Sequence, residues 1–227
     1  MAEQTKIKSA LISVYSKEGI ADLAKLLESF KIEILSTGGT YTYLKSEGIT
    51  ATPIEDITSY PSILGGRVKT LHPKIFGGIL WRRDEATDVE DMARYEIPSV
   101  DMVIVDLYPF EETVAGTNDE SEIIEKIDIG GISLIRAAAK NFRDVLVVPS
   151  ATLYGKVSEL LQNNDGCTTL EERKLFAAEA FQVSSHYDTE IFRYFNRDLE
   201  LNVFKKSITD YVPLRYGENP HQQGVFY

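Results

Sequence analysis

Two apolar runs, residues 101–106 (DMVIVD) and 144–148 (DVLVV), constrain this chain more than any other feature. Both are rich in β-branched residues and show no polar alternation, which is how a strand reads when both its faces are covered. Strands of that kind belong to a sheet held between layers of helices. Residues 8–14 (KSALISV) predict another buried strand. A helix then follows, capped at Ser16, with Ile20, Leu23, Ala24 and Leu27 at helical spacing. Residues 31–35 (KIEIL) predict the next strand, and a helix runs from Ser36-Thr37-Gly38-Gly39-Thr40 through Lys45 until Gly48 stops it. The alternation predicts an α/β fold with a mainly parallel sheet flanked by helices.

The second half reads differently. Residues 151–163 and 169–196 predict helices, separated by the turn Asn163-Asn164-Asp165-Gly166. Ala177, Ala180, Phe181, Ser184, Ile191 and Phe195 form the expected core stripe of the longer one. Beyond Asn196 the periodicity fades, which sets a domain over 1–196 and an appended segment over 197–227.

Net charge and cysteine content narrow the function classes. The 227 residues carry a formal charge of −11, the wrong sign for nonspecific binding to a nucleic-acid backbone. A phosphorylated small molecule is still compatible, because a local cluster of cations and N–H groups can outweigh the global field. Cys167 is the single cysteine, so no internal disulfide forms, and no Cys/His cluster has metal-ligand spacing. No apolar run approaches the ~20 residues of a membrane helix, and the start of the chain lacks signal-peptide architecture. A soluble cytoplasmic protein is expected.

Four segments carry chemistry. The first is the Ser36–Thr40 stretch, whose Gly38 and Gly39 let the backbone approach a ligand while N–H groups at a helix start attract phosphate. Thr37 and Thr40 add hydroxyls, and a plain turn with a Thr cap is the structural alternative. The second, Leu64 to Pro73, holds Gly65, Gly66, Arg67, Lys69 and Thr70. It combines a mobile backbone with phosphate-seeking cations but matches neither a Walker A loop nor a Rossmann fingerprint. A solvated basic loop is its alternative, and His72 before Pro73 reads as structural at least as well as catalytic. The third, Asp106-Leu107-Tyr108-Pro109-Phe110, leaves the carboxyl end of a buried strand, where open α/β sheets bind ligands. Tyr108 there is either a hydrogen-bond donor to ligand or a strand-end packing residue. The fourth runs from Ile127 to Asn141, with Asp128 ahead of Gly130-Gly131 and Arg136 and Lys140 on one helical face. Gly131 and Lys140 are separated by about 13 Å of helical rise. Asp128 and Lys140 therefore share a site only across a nucleotide-sized ligand or a bend in the chain.

Taken together, GGRVKTLHP (65–73), LYPF (107–110), DIGG (128–131) and LIRAAAKN (134–141) resemble the IMP cyclohydrolase domain of the bifunctional purine-biosynthesis family, AICAR transformylase/IMP cyclohydrolase. The resemblance covers residues 8–227 and implies a three-layer, methylglyoxal-synthase-like fold with phosphate held at the Thr-Gly-Gly-Thr turn. It implies nucleotide contacts from Ser13, Lys17, Thr37, Gly38, Gly39, Thr40, Arg67, Lys69, Thr70, Asp106, Asp128 and Gly130. Catalytic contributions are implied for Lys69, Tyr108, Asp128 and Lys140. The sequence departs from the family at Tyr15, where serine is common, and at Asp106, where asparagine often precedes LYPF.

The implied reaction is dehydrative ring closure of the formylated nucleotide FAICAR to IMP, without metal or redox cofactor. The family also implies a homodimer, with no nucleic-acid or membrane partner. Residues 214–222 (LRYGENPHQ) resemble the opening of the transformylase domain, in which Arg215 and Tyr216 would contact the AICAR nucleotide. The rest of that domain, which would use 10-formyltetrahydrofolate, does not follow. A fragment of a longer polypeptide without formyl transfer is expected. Two rivals share the fold: a regulatory effector-binding domain, which would not need the full Lys-Tyr-Asp-Lys set, and methylglyoxal synthase, which the sparse histidines disfavour.

Overall fold

The apolar runs form the centre of a five-stranded parallel sheet. In the computed structural model, which describes residues 4–199, 201–219 and 221–227, the chain divides into a unit reaching Ser184 and a second unit, Ser185–Tyr227. The first unit begins with β1 (Gln4–Lys6), β2 (Ser9–Ser13), α1 (Ile20–Ser29), β3 (Glu33–Ser36), α2 (Gly38–Ser46) and β4 (Thr52–Pro53). Three helices follow, α3 (Ile54–Thr58), α4 (Pro73–Leu80) and α5 (Ala86–Arg94), before β5 (Met102–Val105). Then come α6 (Phe110–Gly116), α7 (Glu120–Glu125), α8 (Gly130–Lys140), β6 (Leu146–Val148), α9 (Tyr154–Asn163) and β7 (Cys167–Thr169). Helix α10 (Leu170–Phe195) runs from the first unit into the second.

The sheet order is β4-β3-β2-β5-β6, with every pairing parallel. The chain steps outward from β2 to β3 and β4, then returns to lay β5 on the other side of β2, in the register Ala10↔Met102 and Leu11↔Val103. Strand order thus reverses at β2, and the carboxyl ends of β2 and β5 border the crevice where such sheets bind ligands. Helix α1 packs on β3 and α9, while α8 packs on β5, β6 and α4. Ala137, Ala138 and Ala139 are buried on α8, and their small side chains let the helix lie close to the sheet. Gly78 does the same for α4, since a Cβ there would lie 2.3 Å from the Pro98 carbonyl oxygen.

The four predicted strands occur, β2 and β5 shortened at both ends, β6 at its start, and β3 beginning later and reaching Ser36, and the five-stranded sheet bears out the α/β reading. Other expectations need correction. Ser16 does not cap α1: Gly19 precedes the helix in a left-handed conformation (φ 70°), while the Ser16 hydroxyl accepts from Glu18 N three residues earlier than a cap would stand. On α10 the predicted stripe holds at Ala177, Ala180 and Ser184, whereas Phe181 and Phe195 are exposed and Ile191 is half-buried. Phe181 instead receives the Arg136 guanidinium over its ring at 5.6 Å. The helix read over 151–163 starts as a 3-10 turn at Ala151–Leu153. The antiparallel β1–β7 pair was not expected, since its strands are only three residues each.

At the amino ends of β2 and β5, Asp101 is buried and accepts from Lys8 N (2.7 Å) and Ser9 N (3.1 Å), while Arg83 pairs with it at 2.5 Å. Nearby, the buried Arg173 donates to the carbonyls of Phe142 (3.0 Å), Arg143 (2.7 Å) and Thr168 (2.9 Å). It ties the end of α8 to the start of α10.

In the second unit, β8 (Val212–Leu214) and β9 (Gly224–Phe226) form an antiparallel hairpin, and Gly217 N donates to Gln222 O at 2.8 Å across its turn. Arg215 and Tyr216 are exposed there. His186 Nδ1 lies 2.9 Å from Ser207 Oγ. Among the described residues no helix is long and apolar enough to cross a membrane.

Removing the Asp101 carboxylate strands a buried N–H group, a part-buried one and a partly buried guanidinium. Asp101→Ala should lower unfolding free energy by about 3 kcal/mol, read from urea unfolding followed by circular dichroism.

Candidate active site

At the carboxyl ends of β2, β3 and β5 the first unit encloses a cavity of about 720 Å³, within the range of small-ligand sites. Lys17, Arg67, Lys69 and Lys126 line it together with Asp106, Glu125 and Asp128. A strongly acidic chain thus gathers more cations than carboxylates in this one place.

One wall is the turn from β3 into α2. Thr37 precedes the helix but makes no side-chain cap. Its hydroxyl lies 2.9 Å from Ser13 Oγ, so two hydroxyls from adjacent strand ends meet inside the cavity. The first N–H groups of α2 are left without a side-chain cap, the arrangement that attracts an anion. Gly38 takes φ +37°, and a Cβ there would lie 2.9 Å from Lys69 Nζ, so its lack of a side chain admits the ammonium to the helix start. Thr40 lines the cavity, but its hydroxyl donates to Val14 O at 2.9 Å. Its proton therefore holds the loop after β2 and does not point to a ligand.

That loop is fixed from the other side by Asp106, whose carboxylate accepts from Tyr15 N and from Ser16 N (3.0 Å). Burial pushes the Asp106 carboxyl above the usual range, opposed by these bonds and by Lys17. Lys17 Nζ donates to Val14 O at 2.5 Å and Tyr15 O at 3.0 Å. Burial lowers its pKa, Asp106 works against that, and Lys69 adds to it.

The opposite wall is the approach to α8. Asp128 accepts from Gly131 N at 2.6 Å, so it caps the helix as well as facing the cavity. Burial raises its carboxyl; the Gly131 bond opposes the rise and repulsion from Asp106 adds to it. A Cβ on Gly131 would lie 2.5 Å from Asp128 Oδ2, and one on Gly130 would lie 2.7 Å from Thr70 Oγ1. Both glycines are required by close approach, and Gly130 brings the buried Thr70 against the helix start. Tyr108, 39% exposed, stands beside Asp128. Burial, Asp128 and Glu125 all raise its phenol, which therefore stays protonated and able to donate.

Within one chain the structure brings together Ser13, Lys17, Thr37, Gly39, Thr40, Arg67, Lys69, Thr70, Asp106, Tyr108, Asp128 and Gly130. Gly38 borders this group behind Lys69. Lys140 does not join it. It is exposed in the last turn of α8, while the first turn faces the cavity, and the straight helix supplies no bend to bring it back. Arg67 reaches the cavity with its guanidinium paired to Glu125 at 2.5 Å. His72 caps α4, its Nδ1 accepting from Lys74 N at 3.1 Å, which gives it a structural role. Sequence reasoning missed Glu125 and Lys126, which sit in a polar run that reads as a solvated helix face; their position just ahead of Asp128 was the available signal.

The sequence model of the MGS-like domain family matches residues 19–133, half of the chain. The chain belongs to that family. Its residues 138–227 match the model described as AICARFT/IMPCHase bienzyme. The chain is 56% identical over 227 residues to the bifunctional purine biosynthesis protein PurH of Bacteroides thetaiotaomicron, covering all of this chain and 45% of that protein. It is 45% identical to the same-named protein of Clostridioides difficile, covering 97% of this chain and 43% of the relative. A solved structure titled "Crystal structure of ForH" superposes with a TM-score of 0.74 at 33% identity, covering 83% of this chain and 97% of that one. The chain thus corresponds to the N-terminal part of the bifunctional proteins and spans less than half their length.

The raised carboxyls of this MGS-like domain give a pH prediction. Because the Asp106 and Asp128 pKa values are raised on folding, the folded protein binds more protons than the unfolded chain just above the ordinary carboxylate range. Their stabilising contribution is full below the unfolded pKa and is lost as pH rises through the folded values. Unfolding free energy measured from about pH 4 to pH 7 should therefore fall less steeply in Asp128→Asn than in the parent.

Proposed function

We propose that this MGS-like domain is an IMP cyclohydrolase, closing FAICAR to IMP with loss of water. The observation that carries the reading is the convergence of Lys69, Tyr108 and Asp128 on one cavity that also presents the start of α2. The ligand is proposed to lie with its phosphate against the N–H groups of α2 and beside Lys69, where dipole and ammonium act together. Ser13 and Thr37 offer hydroxyls along the path from the phosphate towards the ring.

In the reaction, the carboxamide nitrogen attacks the formyl carbon of the same molecule. A C–N bond forms as the carboxamide nitrogen gives up one proton and the carbonyl π pair passes to the formyl oxygen. The C–O bond then breaks as the formamido nitrogen gives up a second proton and closes a C=N bond, so the oxygen leaves as water with both protons. Nucleophile and electrophile are already joined, so selecting the reactive rotamer supplies much of the acceleration. Asp128 is proposed to hold and deprotonate the amide nitrogen. Its raised pKa makes it a stronger base than an exposed aspartate, and the Gly131 N–H fixes its aim. Tyr108 and Lys69 are proposed as donors to the developing oxyanion and the departing water. Lys140 receives no step, since it stands outside the cavity of its own chain. The chemistry asks for neither metal nor redox cofactor, and a homodimer in the cytoplasm is the setting the family resemblance implies.

An assay following FAICAR conversion to IMP without added cofactor tests the proposal directly. Asp128→Ala and Lys69→Met should each lower kcat about 100-fold or more, with Lys69→Met also raising KM. Tight nucleotide binding with no turnover in the parent would identify an effector-binding domain instead.

A further inference from the structure

Lys126 lines the cavity but has no part in the chemistry above. Its position is built by the structure. Helix α7 is six residues long, is capped by Asp119, which accepts from Ser121 N at 2.9 Å, and ends at Glu125, which Arg67 holds. The next residue, Lys126, is thereby directed at two aromatic rings. Its ammonium stands 5.2 Å from the centre of the Tyr15 ring and 5.7 Å from that of Tyr108. The two rings meet edge to face, with centres 5.4 Å apart and planes at 81°. Tyr15 is anchored in turn, because its N–H donates to Asp106.

We infer that Lys126 and Tyr15 are a positioning pair for Tyr108, with Tyr15 fixing the ring and Lys126 strengthening the phenol as a proton donor. The inference rests on the ring-closure reading and deepens it. Edge-to-face contact sets the rotation of a ring about its bond. A cation on a ring face is attracted to the π cloud and draws density from it, which makes the O–H a better donor. Around the phenol, burial, Asp128, Glu125 and, last, Tyr15 all act in the opposite sense and keep it protonated. Lys126 is thus the positive member of a set otherwise dominated by burial and carboxylates. Such opposition suits a group that must hold its proton until the formyl oxygen becomes basic enough to take it. The geometry also gives the tyrosine at position 15 a use: a serine there could supply no ring for either partner.

Lys126→Met, Lys126→Arg, Tyr108→Phe and the double variant Lys126→Met/Tyr108→Phe provide the test. Lys126→Met should lower kcat for ring closure about tenfold with KM changed by less than about twofold, and Lys126→Arg should recover most of the loss. On the Tyr108→Phe background Lys126→Met should have no further effect. An unchanged kcat, or an equal loss on both backgrounds, overturns the inference. The second readout needs no turnover. The Tyr108 ionisation, taken as the difference in ultraviolet absorbance titration between each protein and its Tyr108→Phe counterpart, should move to higher pH in Lys126→Met. An unmoved titration overturns the pair whatever the activity. A parent that shows the Lys126-dependent shift but closes no FAICAR ring keeps the pair and loses the ring-closure reading.

Discussion

The Asp106 carboxylate, accepting from the backbone of Tyr15 and Ser16, ties the carboxyl end of β5 to the loop that leaves β2. Parallel pairing brings those two strand ends side by side, but it does not fix the loop that follows. With the loop held, Lys17 can fold back on Val14 and Tyr15, and Thr40 can grip Val14 from the other flank. Ser13 then faces Thr37, and the start of α2 opens to the cavity. The shape of the ligand site thus follows from one carboxylate meeting two N–H groups at the point where strand order reverses.

Electrostatics in the cavity are balanced by position more than by number. Lys69 lies at the start of α2, where helix dipole and ammonium reinforce each other towards an anion. Asp128 lies at the start of α8, where the dipole favours its ionised form and burial opposes it. Two helix starts therefore face one space with different partners, one suited to holding a phosphate and the other to accepting a proton. The glycines at both starts are a geometric requirement of that arrangement. Each admits a side chain from elsewhere, Lys69 at Gly38 and Thr70 at Gly130, to a place that a Cβ would obstruct.

Much of this was legible in the sequence. The buried strands announced themselves because both faces are apolar, and the glycine segments stood where strand ends demand them. Helices α3 to α5 were not legible: all three are short, Gly77-Gly78 interrupts α4, and α5 buries no residue that would mark an apolar face. The exposure of Phe181 was missed because spacing alone does not say which helical face meets a neighbour, and Arg136 supplies its partner from another element. Lys140, which the motif resemblance assigns to the site, stands outside the cavity of its own chain, at the separation that the rise of α8 implies. Lys126, by contrast, was overlooked. A lysine in a polar run is marked in the sequence only by its place just ahead of Asp128, and its role shows once two distant tyrosines are brought beneath it.

Strand β5 has an aspartate just before its first residue and another just after its last. Asp101 fastens the amino ends of the sheet, with Arg83 as its counter-ion, and touches no part of the cavity. Asp106 fastens the carboxyl ends and forms part of the cavity wall. The same chemical device is used twice on one strand, once for cohesion and once to shape the cavity. Cohesion at one end of β5 and the cavity wall at the other therefore answer to different side chains, Asp101 with Arg83 in the first case and Asp106 in the second.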